Sequence, residues 1–273
     1  MKNNVALTIA GLDPSGGAGI TADIKTFSVF GCYATSVVSS ITFQNTQGVF
    51  GTVHQSAKSV RKQLEPIIDD FNISAFKTGM LPTEEVIKEV SQIIKERKLK
   101  NFVIDPVVRS TSGFDLIDDK ALKSLIGTLF PLSDLITPNL PEAERISGIQ
   151  INSDDKIREA ALIMKDLGAK NVLIKGGHES DEGQNTKTEL ARDFLFINDN
   201  EFILEEEFIE TDATHGTGCT LAAAITANLA LGKELKESVE IAKKFVTMAI
   251  KHSPDIGKGN SPVGIDYKLI ELV

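Results

Sequence analysis

The sequence predicts an α/β fold in which a mostly parallel central sheet carries helices on both faces. Three observations predict it. Short apolar runs that suit buried strands alternate with longer stretches of helical spacing along the chain. Alternation of this kind implies strand–helix–strand units, and those make parallel sheets. The strand ends carry glycine, acid, amide and lysine, the residues that gather where an open α/β sheet binds its ligand. No linker-like low-complexity stretch and no internal repeat interrupts the pattern, so residues 1–273 are expected to form one domain.

The elements follow in order. Residues 5–10 form a short apolar run before glycine, a buried first strand. Residues 18–31 have helical spacing through Ile20, Ile24 and Phe27, with a stop at Gly31. Residues 36–43 read as a strand. Residues 57–71 read as an amphipathic helix despite Pro66, and 75–79 as a short strand ending in glycine. Residues 83–99 are a strong helix with Thr83 as N-cap and charges on the outer face. A strand over 101–108 carries Asp105 at its end. A helix over 120–131 and a strand running into Thr-Pro-Asn at 137–139 come next. A capped helix over 153–169 precedes a strand that ends in Lys175-Gly176-Gly177. Two β-like runs then make a hairpin around 198–200, and helices over 217–231 and 234–252 close the pattern. The polar segment 179–189 reads as an exposed loop, and Glu205 to Phe208 as a solvated strand face. Leu235, Val239, Ala242 and Val246 form a core stripe.

Composition narrows the function classes. The hydrophobic fraction of 41% is enough for a sizeable core, and the net charge is −9. No basic patch dominates, which argues against nucleic acid or an anionic membrane as the main partner. An anionic substrate would be held by backbone N–H groups and one or two lysines. Cys32 and Cys219 form no disulfide framework, which suits a reducing cytoplasm. The first apolar run is too short for a signal peptide, and no stretch is long enough to span a membrane.

Several stretches carry chemistry. Residues 11–19, GLDPSGGAG, let the backbone approach a ligand before a helix, although a flexible turn explains them as well. Their spacing matches neither the Walker nor the dinucleotide fingerprint. Residues 214–220, THGTGCT, place glycines at a helix start, where free N–H groups form an anion cradle. The same field should lower the pKa of Cys219. As a lone residue, Cys219 suits a small core position equally well. Asp105 at a strand end suits Mg²⁺ or a turn. Asn139 and Glu142 stand at a helix start, where Glu142 on its own is a dipole partner. Lys175 suits a phosphate contact or a solvated strand end. His178 and His215 have no zinc spacing with each other or with a cysteine.

Taken in order, ALTIAG with DPSGGAGI, QNT, KTGM, VIDPVV, TPN with EA, KGGH and THGTGCT resemble the hydroxymethylpyrimidine/phosphomethylpyrimidine kinase family of thiamine biosynthesis, within the ribokinase-like superfamily. The resemblance runs over nearly the whole chain. It implies a ribokinase-like α/β/α sandwich, a cytoplasmic homodimer, and ATP- and Mg²⁺-dependent phosphorylation of 4-amino-5-hydroxymethyl-2-methylpyrimidine and then of its monophosphate. It implies that Gly216, Thr217, Gly218 and Cys219 form the anion hole, with Thr214 before it and Cys219 in place of the aspartate base of most relatives. Gln44 would read the pyrimidine edge. Gly11, Ala18, Met80 and Val107 would line its pocket, with Asp23 nearby. Asp105, Asn139 and Glu142 would organise Mg²⁺ and the phosphates, the metal through Asp105 and Glu142 by way of water. Lys175 would meet the transferring phosphate. The chain departs from the family pattern at Leu12, Phe43, Ala213 and Asn260-Ser261. Leu12 keeps a pyridoxal kinase of the same fold in view. A non-catalytic pyrimidine-binding relative is opposed by the intact Gly216, Gly218, Cys219, Asp105 and Lys175.

Overall fold

A computed structural model describes residues 4–108, 116–178 and 190–272. β1 (Val5–Leu12) is buried along nearly its whole length, which only a central strand covered on both faces can be. It pairs in parallel with β2 (Tyr33–Asn45) and β4 (Ile73–Thr78). The ladder continues in parallel through β5 (Phe102–Ile104), β6 (Leu135–Ile136) and β7 (Asn171–His178). Three antiparallel strands finish the edges: β3 (Gly48–His54) beside β2, and the hairpin of β8 (Leu190–Ile197) and β9 (Asn200–Glu207) beside β7. The strand order of the nine is β3-β2-β1-β4-β5-β6-β7-β8-β9.

Helices cover both faces. On one lie α2 (Ala57–Asp70), α3 (Glu84–Arg97), α4 (Asp119–Ser124), α5 (Leu140–Ser147) and α6 (Asp154–Asp166), over a core that includes Leu7, Phe76, Phe102 and Ile136. On the other lie α1 (Gly19–Val29), α7 (Thr217–Ala230) and α8 (Leu235–Lys251). They pack over Ala6, Val103, Leu173 and Leu195, the alternate positions of the same strands. Val239, Ala242 and Val246 of the expected α8 stripe are buried there.

The structure differs from the sequence expectation in identifiable places. β3 went unread because Gly48 and Gly51 weaken a strand pattern, and its exposed Phe50 gives no buried alternation. The helix expected over 120–131 begins as α4 but widens to a π turn at Leu125–Leu129 and tightens to a 3₁₀ turn at Phe130–Leu132, where Pro131 lacks the N–H a regular turn needs. α2 runs through Pro66 unbroken. The loop expected over 179–189 lies outside the described residues.

Candidate functional site

The carboxyl ends of the parallel strands open into one cavity of about 460 Å³. Crossing the sheet, its wall passes from Gln44 on β2 to Gly11 on β1, Met80 after β4 and Asp105 with Val107 after β5. It continues to Asn139 and Glu142 after β6 and reaches Lys175 on β7. Ala18 at the start of α1, and Thr214, Gly216, Thr217, Gly218 and Cys219 at the start of α7, complete it. Asp23 alone among the expected site residues does not line the cavity. It is fully buried behind Lys77, near the cavity but not on its wall.

Two of the helices that begin at this wall, α1 and α7, are unlike most of the others. Side chains of Ser56, Thr83, Asp118, Asn139 and Ser153 cap α2 to α6. No side chain caps α1 at Ala18 or α7 at Gly216, so their first-turn N–H groups are left to the site. Gly216 has φ 86°, and a Cβ there would overlap the carbonyl oxygen of Gly17, so only glycine lets the two helix starts approach so closely. A Cβ on Gly218 would lie 3.2 Å from Lys175 Nζ and 3.9 Å from Asp105 Oδ2, which sets this turn against the charged wall.

That wall is built from acids and a lysine. Lys175 Nζ donates to Asp105 Oδ1 at 3.2 Å. Glu142 and Asn139 form a capping box: Glu142 N donates to Asn139 Oδ1 at 2.9 Å and Asn139 N to Glu142 Oε2 at 2.9 Å. Glu142 Oε1 also accepts from Val108 N at 3.1 Å. The dipole-partner role and a place on the wall are therefore combined in one side chain. Burial, with the Asp105 charge added, pushes the Glu142 carboxyl up. Burial works against the Lys175 ammonium, but Asp105 and Glu142 outweigh it and push it up. Among the described residues no cluster of three or more His, Cys, Asp or Glu is placed to cage a metal. Two buried carboxylates facing one ammonium nevertheless leave excess negative charge of hard oxygen type, a donor set that fits Mg²⁺ kept partly hydrated.

Cys219 shows the largest departure from expectation. The charge of Lys77 and a backbone bond from Gly19 favour the thiolate, in the same direction as a helix-start field acts. Withdrawal from water is larger still, and with Asp105 and Asp23 nearby the thiol is pushed up to about 12. The direction is opposite to the expected lowering, and burial favours the thiol in the free protein.

Other features were not legible as site components. Lys77 lies within β4, fully buried, and lines the cavity. Its Nζ donates to Asp23 Oδ1 at 2.9 Å and Oδ2 at 2.8 Å, while Thr8 Oγ1 donates to Asp23 Oδ2 at 2.6 Å. Three donated bonds mark Asp23 as a carboxylate. Burial works against the Lys77 ammonium, but Asp23, with Asp105 behind it, outweighs it and pushes it up. A lysine as the one charged residue of a short strand was the available signal. Asp13 and His215 form a second buried pair at 2.8 Å. Val107 has φ 40°, a conformation that costs a β-branched residue about 1–3 kcal/mol and that clusters at functional sites. Gln44 is oriented by Thr42, whose Oγ1 donates to Gln44 Oε1 at 3.0 Å, leaving the amide N–H groups to the cavity.

A family described as phosphomethylpyrimidine kinase matches residues 13–264. A hydroxymethylpyrimidine/phosphomethylpyrimidine kinase of Staphylococcus aureus (strain MSSA476) is 44% identical over 264 residues, which cover 96% of this chain and 94% of the relative. A solved structure of Bacillus subtilis pyridoxal kinase in an ADP complex superposes with a TM-score of 0.87 at 38% identity, covering 100% of both chains. The phosphomethylpyrimidine kinase of Clostridium difficile 630 gives a TM-score of 0.77 at 42% identity, covering 90% of this chain and 98% of that one. The architecture is the ribokinase-like α/β/α sandwich.

Proposed function

The chain belongs to the phosphomethylpyrimidine kinase family, a family of phosphotransferases, and on that premise we propose that it phosphorylates 4-amino-5-hydroxymethyl-2-methylpyrimidine and then the monophosphate, with ATP as donor. One observation carries the reading: a single cavity joins the Gln44–Met80 wall to the Lys175–Asp105 wall and the uncapped start of α7. Gln44 offers donors and an oriented acceptor to an aminopyrimidine edge, and Gly11, Ala18, Met80 and Val107 supply the flat surface around it. The Gly216–Cys219 turn, with Thr214 before it, takes the phosphate oxygens. Lys175 neutralises the phosphoryl group in transit. Phosphoryl transfer has a loose transition state, so positioning and charge do most of the work. Asp105, Asn139 and Glu142 face the phosphates, and Asp105 and Glu142 would hold Mg²⁺ through water. The ion, when bound, neutralises charge on the phosphates.

Cys219 is the proposed proton acceptor for the hydroxymethyl group. Because it rests as a thiol, that role requires the loaded site to draw its proton off. Lys77, the Gly19 N–H and the first turn of α7 act in that direction. The same reading makes the protein a cytoplasmic homodimer. The exposed Phe43, Phe50 and Val53 on the β2–β3 hairpin are apolar surface for a second copy, and no described helix is long and apolar enough to cross a membrane.

A second reading is favoured by the full-length superposition on the Bacillus subtilis pyridoxal kinase: the accepted alcohol is pyridoxal. Steady-state kinetics with MgATP and each alcohol separate the two. The pyrimidine is expected to show the higher kcat/KM. Efficient turnover of pyridoxal with none of the pyrimidine would sink the primary assignment, and binding of the pyrimidine with no ADP release from either alcohol would sink both.

A further inference from the structure

Asp13 and His215 are neither on the charged wall nor among the residues that orient Gln44, yet one oxygen of Asp13 bonds to both uncapped helix starts of the cavity, those of α1 and α7. Asp13 Oδ2 accepts from Ala18 N, the N-cap residue of α1, at 2.9 Å. The same oxygen lies 2.8 Å from His215 Nε2, and His215 immediately precedes Gly216, the N-cap of α7. Asp13 Oδ1 is filled by Ser15 N at 2.8 Å and Ser15 Oγ at 2.7 Å. A carboxylate receiving this many donors is ionised, so His215 Nε2 carries the proton and donates. Burial would raise the Asp13 carboxyl, but the bonds from His215 and Ser15 outweigh it and hold it below its ordinary value.

The pair is enclosed. Asp13 and His215 are 3% and 6% exposed, so the bond is not exchanged for water. A Cβ at Gly17 would collide with the His215 ring and with Pro262. His215 N donates to Ser261 O, and Val263 N donates to His215 O, both at 3.3 Å. The ring is thus held from the glycine loop on one side and from the chain after α8 on the other. Neither helix start has a side-chain cap of its own, so the Asp13–His215 bond, with the bond from Gly19 N to Cys219, ties one to the other.

We infer that Asp13 and His215 are positioning residues for phosphoryl transfer, holding the Ala18 wall and the Gly216–Cys219 cradle at the separation where acceptor hydroxyl and phosphoryl group meet. This rests on the kinase reading above. Reacting atoms must sit within a narrow range, and a displacement of about 1 Å costs on the order of 100-fold in rate. Both residues line the cavity, but neither is assigned to a reacting group. Its loss is therefore felt in kcat and not in the affinity for either substrate.

The test compares two amide substitutions that differ in reach. In His215→Gln the side-chain nitrogen extends to the place of Nε2 and keeps the donor to Asp13. In His215→Asn it falls short. Steady-state kinetics with MgATP and the pyrimidine are expected to show kcat of His215→Asn lowered by about tenfold or more, with KM for both substrates changed by less than about threefold, and His215→Gln restoring most of kcat. Asp13→Asn is the second variant, expected to match His215→Asn, and it keeps the test open if His215→Asn does not fold. Equal kcat in all four proteins overturns the inference. So does a rise in KM with kcat intact, which would make the pair an ordinary part of the binding wall, and so does an equal loss in both His215 variants. Wild-type protein is the control for the underlying reading: a wild type inactive on every hydroxymethyl heterocycle tested overturns the kinase reading, whereas an active wild type with unaffected variants overturns only the positioning role.

Discussion

Two lysine–aspartate pairs lie close to Cys219, and they differ in almost every respect that matters. Lys77 and Asp23 are sealed: both side chains are 0% exposed, both carboxylate oxygens are bonded to the ammonium, and Thr8 adds a third donor. One positive charge meets one negative charge. Lys175 and Asp105 make a single contact of 3.2 Å, the lysine side chain is 15% exposed at the cavity, and Glu142 adds a second carboxylate. The sealed pair is complete without a ligand. The open pair has surplus negative charge and an ammonium with donors to spare. The same two residue types therefore serve, in one place, to hold β4 to α1, and in the other, on the proposed reading, to receive an ion and a phosphate.

The contrast can be broken at either pair. Removing Lys77 leaves the Asp23 carboxylate buried without its counter-ion, and Lys77→Met is expected to cost about 3–5 kcal/mol of stability. Replacing both partners, as Lys77→Met with Asp23→Leu, should recover most of the loss, because two apolar groups leave no charge to desolvate. Thermal and denaturant unfolding of the single and double variants check this. A single variant within about 1 kcal/mol of wild type would show that the pair is not sealed in solution.

Lys175→Met should give the opposite signature. Its pairing is a single contact at the edge of the cavity, so unfolding should move less than in Lys77→Met. Loss of one positive group from a phosphate site is expected to lower kcat by about 100- to 1000-fold. A variant that melts early but retains kcat would reverse the assignment of the two pairs.

What was legible beforehand follows the same division. The strand-end motifs could be placed on one edge of the sheet because they are local: DPVV, TPN and KGGH each follow an apolar run. Asp105, Asn139, Glu142 and Lys175 do meet at one cavity. The sealed pair was illegible because it joins residues 54 positions apart, and nothing local to Asp23 on α1 announces a lysine arriving from β4. Asp13 and His215, 202 positions apart, were missed for the same reason. β3 was missed because strand pairing with β2 substitutes for a periodic apolar face. For Cys219 the local feature was seen and the environment was not: a helix start is visible in GTGC, while the depth of burial is set by the packing of α1 against α7.

Cys219 is therefore where the comparison is sharpened most finely. Lys77 favours its thiolate, Asp23 and Asp105 disfavour it, and loss of solvation exceeds them all. The other cysteine provides an internal reference. Cys32 is 6% exposed in the core, bonded through Sγ to Ala227 O at 3.6 Å and pushed up to about 11 by burial alone. Cys219 is half-buried on the cavity wall, so a small alkylating reagent reaches it and not Cys32 while the protein is folded. Only the thiolate reacts, and its fraction rises tenfold for each pH unit below the pKa. With the thiol pushed up to about 12, the rate of Cys219 modification by iodoacetamide in ligand-free protein should climb steadily from pH 7 to pH 9 without levelling. A group lowered by the helix-start field would level off near neutral pH instead. Mass spectrometry of the modified peptide at each pH distinguishes the two curves. A plateau near neutrality would mean that Lys77 and the first turn of α7 outweigh burial, and that the free protein already holds the thiolate that the proposed proton transfer needs.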